Sequence, residues 1–459
     1  ELLTAALKAF FRSQNQHFKE NMAQEQKVPK RIARTVLNAL KGGVVPRIGL
    51  PYIAVGRKKE IDALLSDIEI VSEGGASVRF ITGRYGSGKS FLLQTIRAYA
   101  MDRGFVVADA DLSPERRLQG TKGQGLATYK ELMQNLATKT MPEGGALTLI
   151  LERWMSAIRA GLAEENILPG NPAYLAQGES RILAQIVKLG EVVHGYEFSA
   201  LLVRYFRAMT AGEDEVRANI VKWLRGEYAT RADAKRDLGV NLIVTDDNWY
   251  DFVKIFALFL RGAGYSGLLV LIDELVNLYK IPNSISRQYN YEKVLTIYND
   301  ALQGRARYLG ILMGGTPQAV EDQRRGLFSY EALRSRLASG RFSEEGRQDL
   351  MSPVIRLEPL TTEELLVLIE KLAHMHAGLY GYPCRLGEKD FARFLEIEYD
   401  REGASSHLTP REIIRDFIEA LNLFMQHPDL TVETLFKSGE FAPAEKAEAD
   451  RDKEKLFAE

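Results

Sequence analysis

Four apolar runs along the chain have the composition of strands buried inside a sheet. In residues 268–272 five aliphatic side chains follow one another, as expected of a strand that is covered on both faces of a parallel sheet. The predicted strands cover residues 77–82, 105–111, 268–273 and 308–316. Around them, apolar residues recur at helical spacing. The pattern therefore predicts an α/β fold with a parallel sheet core.

Helical patterns dominate the long segment between the second and third predicted strands and both ends of the chain. Residues 115–245 contain too much helix for a simple crossover between neighbouring strands, so we expect an inserted helical subdomain there. Helices are predicted at 2–18, 31–40, 126–138, 147–163, 180–193, 198–209, 215–224, 249–261, 361–374, 388–398 and 410–424. The two ends are therefore predicted to be an N-terminal helical extension and a C-terminal helical lid.

The link between the first strand and the next helix carries the most specific pattern. Residues 83–90 fill every position of the phosphate-binding loop: Gly, four residues, Gly, Lys, then Ser or Thr. The glycines let backbone N–H groups surround a β-phosphate, while Lys89 reaches the β/γ oxygens and Ser90 ligates Mg²⁺. The expected nucleotide contacts are Gly83, Arg84, Tyr85, Gly86, Ser87, Gly88, Lys89, Ser90 and Phe91. The loop predicts binding of a nucleoside triphosphate with Mg²⁺.

Two acids follow the third strand, which has the form of a Walker B strand. Asp273 is expected at the carboxyl end of the sheet, where the phosphate loop also lies, and would hold Mg²⁺ through water. Glu274 would orient or deprotonate the attacking water. The alternative is a core strand followed by an ordinary acidic helix start. The upstream loop favours the Walker B interpretation.

Composition narrows the class of protein. The chain has 459 residues with 46% hydrophobic and 26% charged residues, which is ordinary for a globular protein of two or three domains. A net charge of −1 argues against a wholesale polyanion binder. Residues 1–60 nevertheless carry 12 Lys/Arg against 4 Asp/Glu, which is consistent either with contact to nucleic acid or with a solvated helix face. The single cysteine, Cys384, excludes an internal disulfide, and we expect a cytoplasmic protein that makes no use of a membrane.

The segment before the loop resembles the start of AAA+ ATPases of the origin-recognition and initiator type. Val55-Gly56-Arg57, two residues and Glu60 carry this likeness. It implies that Val55 and Gly56 line the adenine pocket. In AAA+ proteins the strand next to Walker B ends in a polar sensor 1 group, which here is Thr316. Thr316 can equally cap the helix that begins at Pro317, and both roles can hold together.

Several arginines match positions that act on phosphate in AAA+ proteins. An arginine finger, which projects into a neighbouring subunit, falls at Arg336 as first choice and Arg334 as second, and it requires an ATP-dependent homo-oligomer. Arg324 and Arg325 compete for this role, and a solvated basic helix is the alternative. Arg411 stands near a helix start, where a cation is unfavourable unless an anion is present. Arg411 is therefore the sensor 2 candidate.

Five motifs together resemble the BrxD family, the ATP-binding proteins of BREX bacteriophage-exclusion systems. The motifs are residues 84–91 (RYGSGKSF), 111–116 (DLSPER), 223–226 (WLRG), 264–268 (GYSGL) running into the two acids, and 330–337 (YEALRSRL). The resemblance implies an AAA+-like P-loop ATPase that binds ATP and works in anti-phage defence beside helicase and methyltransferase components. DNA contact would use the basic N-terminal region, the insertion or an oligomer pore.

Two other functions stay open. The first is an ATP-dependent switch or scaffold with little hydrolysis that recruits a partner protein. The second is a small-molecule kinase, which the sensor and lid pattern disfavours. The predicted domains are an N-terminal extension at 1–48, a nucleotide-binding core at 49–114 and 246–358, the helical insertion at 115–245, the lid at 359–437 and a mobile acidic tail at 438–459.

Overall fold

A parallel five-stranded sheet lies at the centre of residues 56–359. The computed structural model describes residues 28–338, 349–400 and 409–437. The strands are β1 (Ala76–Thr82), β2 (Val106–Asp111), β3 (Leu268–Asp273), β4 (Leu309–Gly315) and β5 (Val354–Arg356). They are ordered β2-β3-β4-β1-β5. Every pairing is parallel, so all five carboxyl ends lie along one edge of the sheet.

The strand register decides which residues meet at that edge. Asp111 at the end of β2 is paired with Asp273 at the end of β3, and Thr82 at the end of β1 is paired with Gly315 at the end of β4. Because β4 lies between β1 and β3, the segment after β4 stands between the phosphate loop and the Walker B acids.

Helices cover the sheet and bury its aliphatic side chains. The helix Lys89–Asp102 contributes Leu92, Leu93 and Ile96 to a core that also contains Leu269 and Leu271 of β3. The other helices outside the long crossover in this unit are Lys58–Ser72, Val276–Tyr279, Ser284–Leu302, Pro317–Glu321 and Glu331–Leu337. The predicted α/β class with a parallel sheet is confirmed.

The crossover from β2 to β3 is a helical insertion. Its helices are Gln124–Gln134, Leu147–Glu164, Tyr174–Gln185, Gly195–Ala211, Asp214–Leu224, Arg231–Leu238 and Trp249–Gly262, with a 3₁₀ turn at Val187–Glu191. The helix predicted at 126–138 ends earlier, because Ala137 forms a bridge with Val107 of β2. The helix predicted at 180–193 was wrong in position, because the α-helix ends before Ile186 and the 3₁₀ turn begins after it.

The described residues up to Val55 and from Leu360 onward form a second compact unit. Its helices are Lys30–Lys41, Leu50–Ile53, Thr362–Tyr380, Glu388–Asp400, Pro410–Gln426 and Val432–Lys437. The sequence predicted the N-terminal extension and the lid as separate domains, and in the structure their described residues lie in this one unit. The helix predicted at 2–18 and the tail at 438–459 lie outside the described residues. Among the described helices, none is long and apolar enough to cross a membrane.

Candidate nucleotide-binding site

The loop Gly83–Ser90 joins β1 to the helix Lys89–Asp102, as predicted. Gly86 and Gly88 have φ of 77° and 88°, in the left-handed region that side chains other than glycine rarely adopt. At Gly83 the need for glycine is steric, because a Cβ there would lie 2.3 Å from Oγ of Ser87. The loop therefore requires its glycines both for backbone conformation and for space.

The ammonium of Lys89 spans this loop. Its Nζ donates hydrogen bonds to the carbonyl oxygens of Gly83 and Arg84, each at 3.0 Å. The hydroxyls of Thr82 and Ser87 are buried beside the loop, and neither forms a hydrogen bond within the part of the chain that the structure describes. An ammonium donates to carbonyl oxygens and to phosphate oxygens alike, and the charged phosphate is the stronger acceptor. Lys89 is thus placed to bind a phosphate without a large movement.

Ser90 and Asp273 meet directly. Oγ of Ser90 donates to Oδ2 of Asp273 at 2.6 Å, while Oδ1 of Asp273 accepts the backbone N–H of Glu274 at 2.8 Å. The neighbouring strand makes room for this carboxylate, because a Cβ on Gly314 would lie 2.3 Å from Oδ1 of Asp273. The structure therefore brings together the two residues that the sequence predicted for Mg²⁺.

The chemistry of these two oxygen donors fits Mg²⁺. This ion is usually bound by one or two protein oxygens together with water and substrate phosphates. Within the described ranges no group of three or more His, Cys, Asp and Glu is arranged to hold a metal by itself. A cation at Ser90 and Asp273 would therefore complete its coordination with phosphate and water.

Glu274 occupies a strained backbone position. Its φ of 63° lies in the left-handed region, which costs about 1–2 kcal/mol for a residue with a side chain. Bonds on both sides hold it there: the N–H of Leu275 donates to Gly314 O at 3.0 Å, and the N–H of Asn277 donates to Glu274 O at 2.9 Å. The half-buried Glu274 side chain follows directly after the Asp273 carboxylate. Such strain, imposed by surrounding contacts, is typical of functional positions.

Asp111 is a site residue that the sequence reasoning did not select. Desolvation of its carboxyl and then the negative charges of Asp273 and Glu274 raise the pKa of Asp111 to about 6, although Arg116 acts in the opposite direction. Asp111 as a whole residue is exposed to solvent. The negative charges of the neighbouring carboxylates nevertheless raise the pKa of its carboxyl, in the same direction as desolvation does. The register that pairs Asp111 with Asp273 explains the crowding, and one sequence cannot show that register.

The chain leaving β2 is tied to the Walker B segment. The N–H of Leu112 donates to Asp273 O at 3.1 Å, and Nδ2 of Asn277 donates to Leu112 O at 2.7 Å. Further along, the buried Asn290 accepts the N–H groups of Leu118 and Gln119 at 3.0 and 2.9 Å. The strand-end acids and the start of the insertion therefore form one hydrogen-bonded structure.

Thr316 caps a helix at the edge of the sheet. Its hydroxyl accepts the N–H of Ala319 at 3.2 Å and begins the helix Pro317–Glu321. The structural role weighed from the sequence is confirmed. The hydroxyl proton is still available to a second acceptor, so the sensor 1 role stays a prediction.

The candidate finger arginines lie on the surface of the same unit. Arg336 is exposed; its Nε donates to Oδ1 of Asn299 at 3.0 Å and its Nη1 to Ala332 O at 2.7 Å. Arg334 is also exposed, two residues earlier on the same short helix. Arg325 lies over the ring of Tyr279, 5.3 Å from its centroid. Which arginine acts on a neighbouring subunit stays a prediction.

The remaining predicted residues lie at the unit boundary or beyond it. Val55 is half-buried in the unit that contains Leu360 and later residues, while Gly56, with φ of 64°, begins the sheet-containing unit. Arg411 lies in the first turn of the helix Pro410–Gln426, after the predicted Thr409 cap. Their approach to a nucleotide stays a prediction.

The fold and the site define a nucleotide-binding α/β protein, with a glycine-rich loop and strand-end acids at one edge of a parallel sheet. The family model of the BREX system ATP-binding protein BrxC/D matches residues 28–440, and the chain belongs to this family. The resemblance seen in the sequence is thereby confirmed, together with ATP as the family's nucleotide. A search of curated proteins found no match.

Proposed function

We propose that the protein is an AAA+-like P-loop ATPase that hydrolyses ATP with Mg²⁺ in BREX-type defence against phage. The observation that carries this proposal is the 2.6 Å hydrogen bond between Ser90 and Asp273, which joins the phosphate loop to the Walker B strand. The strand order supports it, because β4 stands between β1 and β3 and is followed directly by the sensor 1 candidate Thr316. The working compartment is the cytoplasm.

In this mechanism each residue acts on a stated atom. Lys89 exchanges its loop carbonyls for β/γ-phosphate oxygens, and Ser90 with Asp273 would hold Mg²⁺, which neutralises charge developing on the phosphates. The oxygen of a water adds to the γ-phosphorus while the bond to the β–γ bridging oxygen breaks and ADP leaves. Glu274 accepts the proton that the water loses.

Turnover is proposed to need a neighbouring subunit. Arg336 is held by Asn299 of its own chain, so it must exchange that contact before reaching another subunit's phosphates. An arginine supplied in trans is worth about 10³–10⁵ in rate in enzymes that use one. A homo-oligomer would therefore be the active form, with Arg334 as the second choice and Arg411 contributing from the lid.

The test is ATP hydrolysis by the full chain and three variants. Lys89→Ala is expected to lose nucleotide binding, whereas Glu274→Gln is expected to bind ATP and lose at least about 100-fold in turnover. Glu73→Gln, at an exposed helix end, is the charge-matched control and should retain the wild-type rate. A Glu274→Gln protein that hydrolyses ATP like the wild type would remove Glu274 from the mechanism.

A nucleotide-dependent switch that recruits a partner, such as the locus helicase, is the second candidate. The contacts that hold Arg336 and Arg325 on their own chain favour it, because both arginines are engaged elsewhere in a single subunit. Tight ATP binding with negligible turnover, in oligomers and with DNA present, would select the switch over the ATPase.

For DNA, we propose contact through the helix Lys30–Lys41. Its buried face contains Ala33, Val36 and Leu37, and it has no acidic residue. The exposed basic residues of this helix are Lys30, Arg31, Arg34 and Lys41. Reversing Arg31 and Arg34 to Glu should weaken binding to duplex DNA and lower its salt dependence. Unchanged binding would place the DNA contact elsewhere, such as the insertion or an oligomer pore.

A further inference from the structure

Arg57 has an unusual backbone for a residue with a long side chain. It precedes the helix Lys58–Ser72 with φ of 60°, directly after Gly56 with φ of 64°. Glycine would adopt this conformation without strain, whereas arginine is strained there by about 1–2 kcal/mol. The contacts of the Arg57 side chain must offset that strain. Backbone strain that surrounding contacts hold in place is typical of functional positions.

The guanidinium of Arg57 contacts two distant parts of the chain and one neighbour on the following helix. Its Nη2 donates to Ser87 O at 3.1 Å and also to Glu358 O, while its Nη1 lies 3.4 Å from Oε1 of Glu60. Its side chain is only 10% exposed. A planar guanidinium with several donors in fixed directions can hold two carbonyls at once, which a lysine ammonium does less well.

The first of these carbonyls belongs to the phosphate loop itself. In a trans peptide the C=O and the following N–H point in opposite directions, and the Ser87–Gly88 peptide is trans. Because Arg57 holds the carbonyl of Ser87 from one side, the N–H of Gly88 points away from the guanidinium. A hydrogen bond to the carbonyl also polarises the peptide and strengthens its N–H as a donor. Arg57 therefore orients one of the loop N–H groups.

The second carbonyl lies where the chain leaves the unit. The chain crosses between the two compact units at Val55–Gly56 and again at Pro359–Leu360. Arg57 is the second residue after the first crossing, and Glu358 is the second residue before the other one. Both belong to the sheet-containing unit, so their hydrogen bond ties the two crossings together inside it. The same guanidinium connects this junction to Ser87.

We propose that Arg57 is a positioning residue that couples occupancy of the phosphate loop to both chain crossings between the units. The proposal rests on the nucleotide binding proposed above. When phosphate binds the loop N–H groups, the Ser87–Gly88 peptide is fixed, and Arg57 transmits this constraint to Glu358. The backbone around both crossings becomes more protected when nucleotide is bound.

The experiment uses the full chain and two measurements. A fluorescent ATP analogue gives the dissociation constant, and hydrogen exchange followed by mass spectrometry reads peptides over 52–60 and 354–362 with and without a slowly hydrolysed ATP analogue and Mg²⁺. Arg57→Gly removes the guanidinium and also relieves the backbone strain. Arg57→Ala would keep that strain without the contacts that offset it, and could therefore fold poorly. Arg57→Lys keeps the positive charge but lacks the planar guanidinium with its several N–H donors. Lys58→Ala, one residue away and exposed, is the matched control.

Arg57→Gly is expected to weaken nucleotide binding about tenfold and to abolish the nucleotide-dependent protection of 354–362, since a lost charge-assisted hydrogen bond has about this effect. Arg57→Lys should fall between wild type and Arg57→Gly, and Lys58→Ala should match wild type. Full protection of 354–362 in saturated Arg57→Gly would overturn the coupling, even with weaker binding. Wild-type affinity together with wild-type protection would do so as well.

Failure of the proposed function gives a separate result. If wild type and Lys58→Ala bind no nucleotide, the nucleotide site fails and the coupling fails with it. The tie between Arg57 and Glu358 can still be judged in that case. Faster exchange of 354–362 in Arg57→Gly than in wild type would show that the bond between Arg57 and Glu358 protects this segment, although nucleotide does not control it.

Discussion

The carboxyl edge of the sheet and the helical insertion use polar groups in opposite ways. At the edge, Asp111 and Asp273 crowd like charges together, and Glu274 holds a strained backbone. In the insertion, two large buried rings place their polar groups against backbone carbonyls: Nε1 of Trp223 donates to Leu242 O at 2.6 Å, and the hydroxyl of Tyr129 donates to Leu224 O at 2.7 Å.

The insertion and the sheet edge also differ in how their side chains pack. The insertion has a core of aromatic rings in tilted and edge-to-face contact, with Trp223 lying 5.4 Å from Phe252 and 6.3 Å from Phe198 between ring centroids. Such rings bury large areas and gain from their mutual geometry. At the sheet edge, by contrast, hydroxyls and acids gather around a loop of glycines. The insertion therefore stabilises the sheet-containing unit, whereas the polar and strained edge binds a charged ligand at a cost in stability.

The largest expected effect comes from the insertion. Trp223→Ala removes a side chain that is 1% exposed and should lower the free energy of unfolding by about 3–5 kcal/mol, because it leaves a cavity among the rings. The measurement is urea unfolding followed by circular dichroism. Tyr196→Ala is the control, since this tyrosine is 81% exposed in the same insertion and should cost less than about 0.5 kcal/mol. Equal losses of stability in the two variants would mean that the packed rings do not stabilise the insertion.

The sequence predicted the sheet better than its surroundings. Four strands and the loop were recognisable because aliphatic runs and the Gly-Lys-Ser pattern are local signals. β5 has only three residues, Val354–Arg356, and its place beside β1 depends on a pairing far along the chain. The helix Ser284–Leu302 was missed because it buries polar residues, Asn290 and Asp300, among its apolar ones.

The site shows the same division. Ser90 and Asp273 were both selected from their motifs, and the structure brings them into contact although they lie 183 residues apart. Asp111 and Arg57 were not selected, because their roles depend on register and on carbonyls that belong to other segments. A single sequence shows which residue types are present, but it does not show which backbone groups they reach.

A substitution at Glu274 should separate stability from activity at the edge. Glu274→Gly relieves the left-handed backbone and should raise the free energy of unfolding by about 1 kcal/mol, while turnover of ATP should fall at least about 100-fold. Urea unfolding and an ATPase assay on the same preparation measure both. Glu274→Gln is the control, since it loses the carboxylate but keeps the strain. A loss of stability in Glu274→Gly would mean that the Glu274 side chain stabilises the edge.

The smallest effect is expected from the pH dependence of the edge. Because the folded protein holds the pKa of Asp111 at about 6, above its ordinary 3.8, the folded state binds more protons than the unfolded state between these values. The contribution of Asp111 to stability is therefore present below pH 4 and is lost as the pH rises through about 6. Asp111→Asn has no such titration. Its unfolding temperature relative to wild type should rise between pH 4 and pH 6 and stay level above that range.

Asp62→Asn is the charge-matched control for this measurement, because Asp62 is exposed and lies on the helix Lys58–Ser72, not at the end of a strand. Mg²⁺ with a slowly hydrolysed ATP analogue adds a further discrimination, since a cation at Ser90 and Asp273 would favour the charged form of a nearby carboxyl. The rise in the Asp111→Asn difference should then move to lower pH. A difference that stays constant from pH 4 to pH 7 would show that the acids at the edge do not interact, and the contrast with the insertion would then rest on the strain at Glu274 alone.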